Sequence, residues 1–354
     1  MHIVLLLPRI YNTVKGNKMD HNQLCEAISQ IIRNYADNRY GVYDSVHVNR
    51  WIEQFDVNER QLVLEETLHI LQSHYITKEQ FIDFVSTTID FDNIHKGNPQ
   101  QFWGNASLLQ IQRNGNSQNE LNHIFSSVLQ NKYQVGNIIN KLSQDYFYVD
   151  DFIFSGNRLY DDIRQWIELN NPINCNLNIV TIGYYTSGQY STECKLRKLF
   201  ENRNIKLNFY SYNEHVLENR LSSRDSSERF WPTVRVLEDA TIQAYVANNE
   251  PNFTFRTIIP HKNKVFSSER REQYEKIMLK YGIRIVGFPR NNNIVVKPLG
   301  YDTYPTFGFG SAVFTFRNCP NNNPLAFWWG DPNAPKNHPF SQWYPLLQRT
   351  AYRD

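Results

Sequence analysis

One stretch constrains this chain more than any other: Tyr146-Phe147-Tyr148-Val149-Asp150-Asp151-Phe152-Ile153-Phe154-Ser155-Gly156-Asn157-Arg158-Leu159. Its aromatic and apolar start reads as a buried strand, two adjacent carboxylates follow, and a small polar turn with a glycine opens an amphipathic segment. Strand, loop and helix in that order place acids at the carboxyl end of a strand. Ligands bind there in open α/β sheets.

The flanking sequence supplies the rest of such a sheet. Ser107 to Gln112 reads as a strand, Arg113-Asn114-Gly115-Asn116-Ser117-Gln118 as a compact polar loop, and Leu121, Ile124, Phe125, Val128 and Leu129 as a helical stripe. A strand, a Gly/Ser loop and a helix N-terminus form an anion site, because free backbone N–H groups and the helix dipole converge. After Leu159 the stripe Leu159, Ile163, Trp166, Ile167 predicts a helix, Leu177 to Tyr185 a strand, Thr192 to Asn202 a helix and Ile205 to Tyr212 a strand. Repeated β-α-β alternation means an α/β protein with a largely parallel sheet, a Rossmann-like core over about 105–215.

Residues 1–95 differ. Leu24, Ile28, Ile31 and Ile32 have helical spacing behind a candidate N-cap, Asp20, and a segment from Val48 to Phe55 carries Trp51 and Phe55. Asn58 to Ser73 buries Leu64, Leu68 and Leu71, and Thr77-Lys78-Glu79-Gln80 spells a capping box before Phe81, Phe84, Val85 and Ile89. This small helical region is compatible with a winged helix-turn-helix that contacts nucleic acid, or with a cap packed on the next domain. Its basic residues (Arg33, Arg39, Arg50, Arg60, Lys78) are not gathered on one helix. Asp90 to Asn105 reads as a linker. Residues 216–354 form an α+β, aromatic-rich C-terminal region, with a helix at Ser267 to Tyr281 and short strands at Arg284 to Phe288, Ile294 to Lys297 and Ala312 to Phe316. Its tail, from Phe327-Trp328-Trp329 to Trp343-Tyr344-Pro345-Leu346, is a lid, a base-stacking platform, a dimer surface or, as aromatics at this density usually are, buried packing.

Composition excludes some functions. Lys plus Arg at 37 against Asp plus Glu at 35 leaves a formal charge of +2, so no global field draws the chain to nucleic acid or membrane. The run Ile3 to Leu7 is cut by Pro8 and is too short for a signal peptide core or a membrane span; it reads as a short strand or packing strap. Cys25, Cys175, Cys194 and Cys319 are widely spaced, without a C-x-x-C, which fits reduced thiols in the cytoplasm. There is no G-x-G-x-x-G, G-K-[ST], G-x-S-x-G or H-E-x-x-H, and His261 and His338 read as ordinary loop residues. Arg229, Trp231 and Arg235 are equally compatible with substrate contact and with packing.

Adjacent acids at a strand end can hold a divalent metal, accept hydrogen bonds from the cis hydroxyls of a ribose, or cap a helix. If Asp150 and Asp151 take the ribose, the turn after them places backbone N–H groups, the Ser155 hydroxyl and the Arg158 guanidinium on a 5′-phosphate.

On these residues the stretch resembles the phosphoribosyl-diphosphate motif of type I phosphoribosyltransferases. The resemblance implies that Asp150 and Asp151 contact the ribose hydroxyls, that Ser155, Gly156, Asn157 and Arg158 bind the 5′-phosphate, and that Arg113, Asn114, Gly115, Ser117 and Gln118 face the pyrophosphate and its Mg²⁺, with Asp150 and Asp151 as indirect metal contacts. Together with the N-terminal helices and the late Trp328-Trp329-Gly330-Asp331-Pro332, the chain is similar to phosphoribosyltransferase-like proteins of bacterial conflict systems, some associated with retron reverse transcriptases or ATPases and regarded as antiphage effectors. That likeness implies a ligand (phosphoribosyl diphosphate or a nucleotide), an activity (phosphoribosyl transfer or cleavage of a nucleotide N-glycosidic bond) and partner proteins in a defence complex. The alternative is a catalytically degenerate module of the same fold that contacts nucleic acid, through residues 1–95, or a partner such as a reverse transcriptase or ATPase. Asn157 and Arg158 replace the usual second Gly and Thr, and Phe154 stands where purine-salvage members often carry an acid that acts on the base. Tyr148-Val149-Asp150-Asp151 also spells the Y-x-D-D of reverse transcriptases, but a polymerase needs a β-hairpin there, and the chain instead turns into a helix.

Overall fold

The computed structural model describes residues 2–5, 19–113, 117–249, 253–257, 264–267, 269–289, 294–302 and 306–349. In chain order the first elements are β1 (His2–Leu5), α1 (His21–Ile32), α2 (Ser45–Ile52), α3 (Val57–His74), β2 (Tyr75–Ile76), α4 (Lys78–Ile89), α5 (Asp92–His95), α6 (Pro99–Asn105) and β3 (Ser107–Leu108). The central alternation is α7 (Ser117–Tyr133), β4 (Asp145–Ile153), α8 (Asn157–Asn170), β5 (Cys175–Tyr185), α9 (Thr186–Leu199), β6 (Ile205–Tyr212) and β7 (Val216–Leu217). Last come α10 (Ala240–Asn249), α11 (Arg271–Val286), β8 (Phe314–Thr315) and α12 (Leu325–Trp328).

Contacts divide the chain into two compact units. One gathers β1 with Thr77–Leu217, and the other gathers α1 to β2 with the chain from Glu218 onward. The helical stretch expected to be one region over 1–95 is thus shared, with α1, α2 and α3 in one unit and α4 and α5 in the other.

The first unit is the expected Rossmann-like alternation. Its strands lie in the order β1-β6-β5-β4-β3, and every pairing is parallel, with β7 added to the end of β5. Parallel neighbours require crossovers, and α8 and α9 supply them. On one face Tyr146, Tyr148, Leu177 and Ile179 pack with Leu159, Ile163 and Trp166 of α8 and Leu196 of α9. Elsewhere Phe147 of β4 packs against Trp103 with ring centroids 4.7 Å apart, and Trp103 in turn meets Phe125 of α7 at 5.4 Å. The side-chain amide of Asn208 donates to that of Asn178, and Asn178 donates to the Tyr146 carbonyl, so buried amides are satisfied across three strands.

Several boundaries differ from expectation, each for a local reason. The presumed linker Asp90–Asn105 holds α5 and α6, because Asn98 caps the second of these with Pro99 in its first turn. Trp103 anchors it, fully buried with its indole N–H on the Ile89 carbonyl at 3.0 Å. The strand expected over Ser107–Gln112 pairs only through Leu108, since the amide of Asn140 then brackets Gln110, donating to its carbonyl and accepting from its N–H. α9 begins at Thr186 rather than Thr192, because Gly188 allows its first turn to lie directly against the Phe154 backbone.

The caps at Asp20 and Thr77 work as read: in the second unit Asp20 closes a capping box with Gln23 on α1. The matching Thr77–Gln80 box opens α4 in the first unit. The short β2 pairs in parallel with β8, so the helices before it carry no hairpin wing among the described residues. Arg284 to Val286 continue α11 instead of forming a strand, because Tyr274, Ile277, Met278, Tyr281 and Ile285 keep helical spacing and are all buried. Ile294 to Lys297 form turns and irregular chain, and only Phe314–Thr315 of the strand expected at Ala312–Phe316 pairs. The aromatic tail is core: Phe327, Trp328, Trp329 and Trp343 are buried, and the three indoles donate to the carbonyls of Asn323, Pro339 and Ala326. A buried ion triad completes the unit, with Glu275 accepting from Arg256 and Arg271, each at 2.9 Å.

Candidate functional site

β4 runs on through the acid pair. Its ladder with β5 sets Asp150 opposite Thr181 and next Phe152 opposite Gly183, so the acids sit within the last turn of pairing rather than after it. Asp150 is buried and Asp151 partly so. Each carboxylate accepts the N–H that follows it: Asp150 Oδ1 from Asp151 at 2.9 Å and Asp151 Oδ1 from Phe152 at 2.8 Å. Local bonds of this kind help to fix the side chains of a strand end.

The turn after the acids is built on glycine. Gly156 takes φ +74°, a left-handed conformation, and a Cβ there would lie 1.8 Å from Thr192 Oγ1 of α9. Gly188 makes the reciprocal approach, where a Cβ would lie 1.8 Å from the Phe154 carbonyl oxygen. Two glycines therefore press the Phe154–Gly156 turn onto the first turns of α9. The turn ends as the N-terminus of α8, a helix of 14 residues, with Ser155, Asn157 and Arg158 exposed around it. The Ser155 hydroxyl accepts weakly from the Asn157 N–H at 3.5 Å, and Lys195 of α9 donates to Asn157 Oδ1 at 3.3 Å. Backbone N–H groups, a hydroxyl and two cations thus surround one helix N-terminus, which is the chemistry of a phosphate cradle.

Of the second expected loop, Asn114, Gly115 and Asn116 lie outside the described residues, as does His261. Ser117 and Gln118 are both buried and hold the loop together. Gln118 Oε1 accepts the N–H groups of Ile111 and Gln112 at 2.6 and 2.9 Å, while Ser117 shares hydrogen bonds with the Gln112 amide at 2.8 and 3.0 Å. Their side chains are loop scaffolding. Arg113 is exposed, and its charge reaches Asp162 on α8, as does that of Arg158. Both cations thus act electrostatically on one carboxylate.

That carboxylate was not marked by the sequence reading. Asp162 Oδ2 accepts from the hydroxyl of Tyr148 at 2.9 Å, and both residues are buried. Burial pushes the Asp162 carboxyl up, while the Tyr148 hydroxyl, Arg158 and Arg113 pull it down. Burial, followed by the charges of Asp150 and Asp162, holds the Tyr148 phenol well above its usual range. The four-residue spacing of Arg158 and Asp162 on a helix was a legible signal; Gly188, Thr192 and Lys195 depend on where α9 packs and were not.

Among the described residues, no three His, Cys, Asp or Glu converge as metal ligands. Asp150 and Asp151 are the carboxylates that would hold a divalent cation at this site, in the mode in which one or two carboxylates share the ion with ligand phosphates and water. Two of the residues kept open as alternative contacts, Arg229 and Trp231, are packed inside: Arg229 lies over the Trp231 ring at 4.1 Å and donates to the Phe309 carbonyl, and the Trp231 indole donates to the Thr254 carbonyl. Arg235 is exposed beside Glu272 at 3.4 Å. All four cysteines are free thiols, and among the described residues no helix is long and apolar enough to cross a membrane.

No curated protein matches the chain. The family model described as PRTase-CE matches residues 48–349, a span that begins inside α2 and takes in every later helix, the whole acid motif and the aromatic tail. With a Rossmann-like parallel sheet, an acid pair at the end of β4 and a match over most of its length, the chain belongs to the PRTase-CE family and has a phosphoribosyltransferase-like fold.

Proposed function

We propose that this protein binds a ribose-5-phosphate compound, phosphoribosyl diphosphate or a nucleotide, at the carboxyl end of β4, and that it acts in the cytoplasm as an effector of a bacterial antiphage system. The observation that carries the ligand is the tight glycine turn at Gly156, which leaves the α8 N-terminus, Ser155 and Arg158 open to a phosphate beside the Asp150 and Asp151 carboxylates. In this reading Asp150 and Asp151 receive the ribose hydroxyls, Ser155, Asn157 and Arg158 the 5′-phosphate, and Arg113 the diphosphate. Mg²⁺ would enter with the ligand phosphates and neutralise their charge. The reaction would be phosphoribosyl transfer or cleavage of an N-glycosidic bond.

Titration calorimetry with phosphoribosyl diphosphate and Mg²⁺ tests the ligand. Wild-type protein is expected to bind and the double variant Asp150→Asn, Asp151→Asn to lose most of that affinity; no heat from the wild type would remove the reading. The defence role is tested by phage challenge of cells that carry the gene with its neighbours, where protection should vanish in the double variant.

One observation favours the second reading, a binding module without catalysis. Phe154 lies in an aromatic cluster with Phe152 at 5.0 Å and Tyr185 at 6.2 Å, at the position where a base-directed acid would be needed. In that case the same site would serve as a nucleotide sensor for a partner protein such as a reverse transcriptase or ATPase, or for nucleic acid. Ligand binding without turnover, with protection intact, would distinguish it.

A further inference from the structure

We infer that the site selects a ribose with a single 5′-phosphate, ribose 5-phosphate or a nucleoside 5′-monophosphate, because backbone donors that a second, diphosphate group would need from the loop before α7 are already filled by the chain's own amides. This rests on the reading of the β4 end as a ribose-phosphate site and names the class of ligand that it takes. Phosphoribosyl diphosphate then binds through its ribose and 5′-phosphate alone.

The loop stands in the right place for an anion. β3 lies parallel to β4, so the chain after Leu108 leaves the sheet towards the same end as Asp150 and Asp151. At a strand, loop and helix junction an anion is held by backbone N–H groups that have no other acceptor. Here four of them have one. The N–H of Gln110 donates to Asn140 Oδ1 at 2.8 Å, and those of Ile111 and Gln112 both donate to Gln118 Oε1, at 2.6 and 2.9 Å. At the start of α7 the N–H of Gln118 donates in turn to Gln112 Oε1 at 3.1 Å, and that oxygen also accepts from the Ser117 hydroxyl at 3.0 Å. The two glutamines cap each other's backbone, each amide oxygen taking two hydrogen bonds as a phosphate oxygen would.

This latch is part of the interior. Gln118 is 0% exposed, and one turn further along α7 the buried Asn122 donates to the Leu109 carbonyl at 2.9 Å, so one flank of the helix fastens the chain from Leu109 to Gln112. Gln118 Nε2 is buried without a partner among the described residues, so the amide is held by what its oxygen accepts. A diphosphate reaches the Ile111 and Gln112 N–H groups only by expelling Gln118, and exchanging one pair of hydrogen bonds for another leaves little net gain. The exposed Arg113 still offers a charge, which contributes little in water by itself. At α8 the N-cap is Gly156, which has no side chain to fill the first N–H groups, so the 5′-phosphate meets no such competitor.

Titration calorimetry on the full-length protein with Mg²⁺ compares ribose 5-phosphate with phosphoribosyl diphosphate, which carries the added diphosphate at C1. The wild type is expected to bind the two within about threefold of each other. Gln118→Ala uncovers the Ile111 and Gln112 N–H groups and should shift the ratio roughly tenfold in favour of phosphoribosyl diphosphate, the scale of one charge-assisted hydrogen bond. A ratio cancels any general loss of affinity, and thermal melts check folding. Gln112→Ala, which uncovers the Gln118 N–H, should shift the ratio the same way by less. A larger preference of the wild type for phosphoribosyl diphosphate would overturn the inference and leave the cradle standing, as would a wild-type ratio in Gln118→Ala. If Gln118→Ala does not fold, Gln112→Ala decides, and an unchanged ratio there overturns the inference. Binding of neither compound by the wild type would remove the cradle itself and this inference with it.

Discussion

The α-carbon of Gly188 backs directly onto the carbonyl of Phe154, so closely that a Cβ would stand 1.8 Å from the oxygen. Real side chains do not approach backbone in this way, and backbone on both sides leaves no flexible group to give. Gly188→Ala should therefore displace the 154–156 turn or the first turn of α9. The expected cost is about 1–3 kcal/mol in denaturant unfolding, typical of overpacking, together with loss of phosphoribosyl diphosphate binding in calorimetry. Unchanged affinity would mean that the turn is not part of the ligand site.

Gly156 is constrained by its φ of +74° and by the Thr192 hydroxyl. Gly156→Ala should be destabilising, and Thr192→Ala in the same protein should recover part of the loss, because the nearest clash is with Thr192 Oγ1 at 1.8 Å. A double-mutant cycle is expected to show coupling on the order of 0.5–3 kcal/mol. Strict additivity would leave the backbone angle as the whole cause.

The buried triad of Arg256, Glu275 and Arg271 makes a pH prediction. Burial pushes the Glu275 carboxyl up, but the Arg271 and Arg256 guanidinium groups outweigh it and hold the carboxyl below its usual value of 4.5. A depressed carboxylate contributes stability that is present above its unfolded value and is lost as pH falls through the folded one. Melting temperature should accordingly decline below about pH 4.5, and Glu275→Gln should flatten that decline while costing roughly 3–5 kcal/mol at neutral pH, because two guanidinium groups are left buried without a counter-charge.

Trp103 should prove a stability residue rather than part of a flexible connection. It is fully buried against Phe147 and Phe125, with its indole N–H satisfied by Ile89. Trp103→Ala is expected to cost about 3–5 kcal/mol. A loss under 1 kcal/mol in chemical denaturation would restore the linker reading of Asp90–Asn105.

Those elements whose information is local were legible in the sequence. The β4-α8-β5-α9-β6 alternation shows in hydrophobic periods of two and 3.6, and the capping boxes at Asp20 and Thr77 show in a spacing of three residues. The misplaced elements depended on distant partners. Residues 99–105 look like a linker by composition, and only burial of Trp103 makes them a helix worth forming. Thr186-Ser187-Gly188 looks like a loop until Phe154 is placed beside it. Arg284 to Val286 are compatible with either a strand or a helix end, and packing of Ile285 decides. At the site, the acids and the Gly156 turn stood out, whereas Ser117 and Gln118 carried the right residue types and turned inward to hold their own loop.

The chain visits its two units alternately, with β1 in the first, α1 to β2 in the second, Thr77–Leu217 back in the first and Glu218 onward in the second. A single proteolytic nick in any connection would thus leave each unit still covalently tied to part of the other or missing a piece of itself. In a chain laid out in this way a fragment cut at any one boundary is not a miniature of the whole.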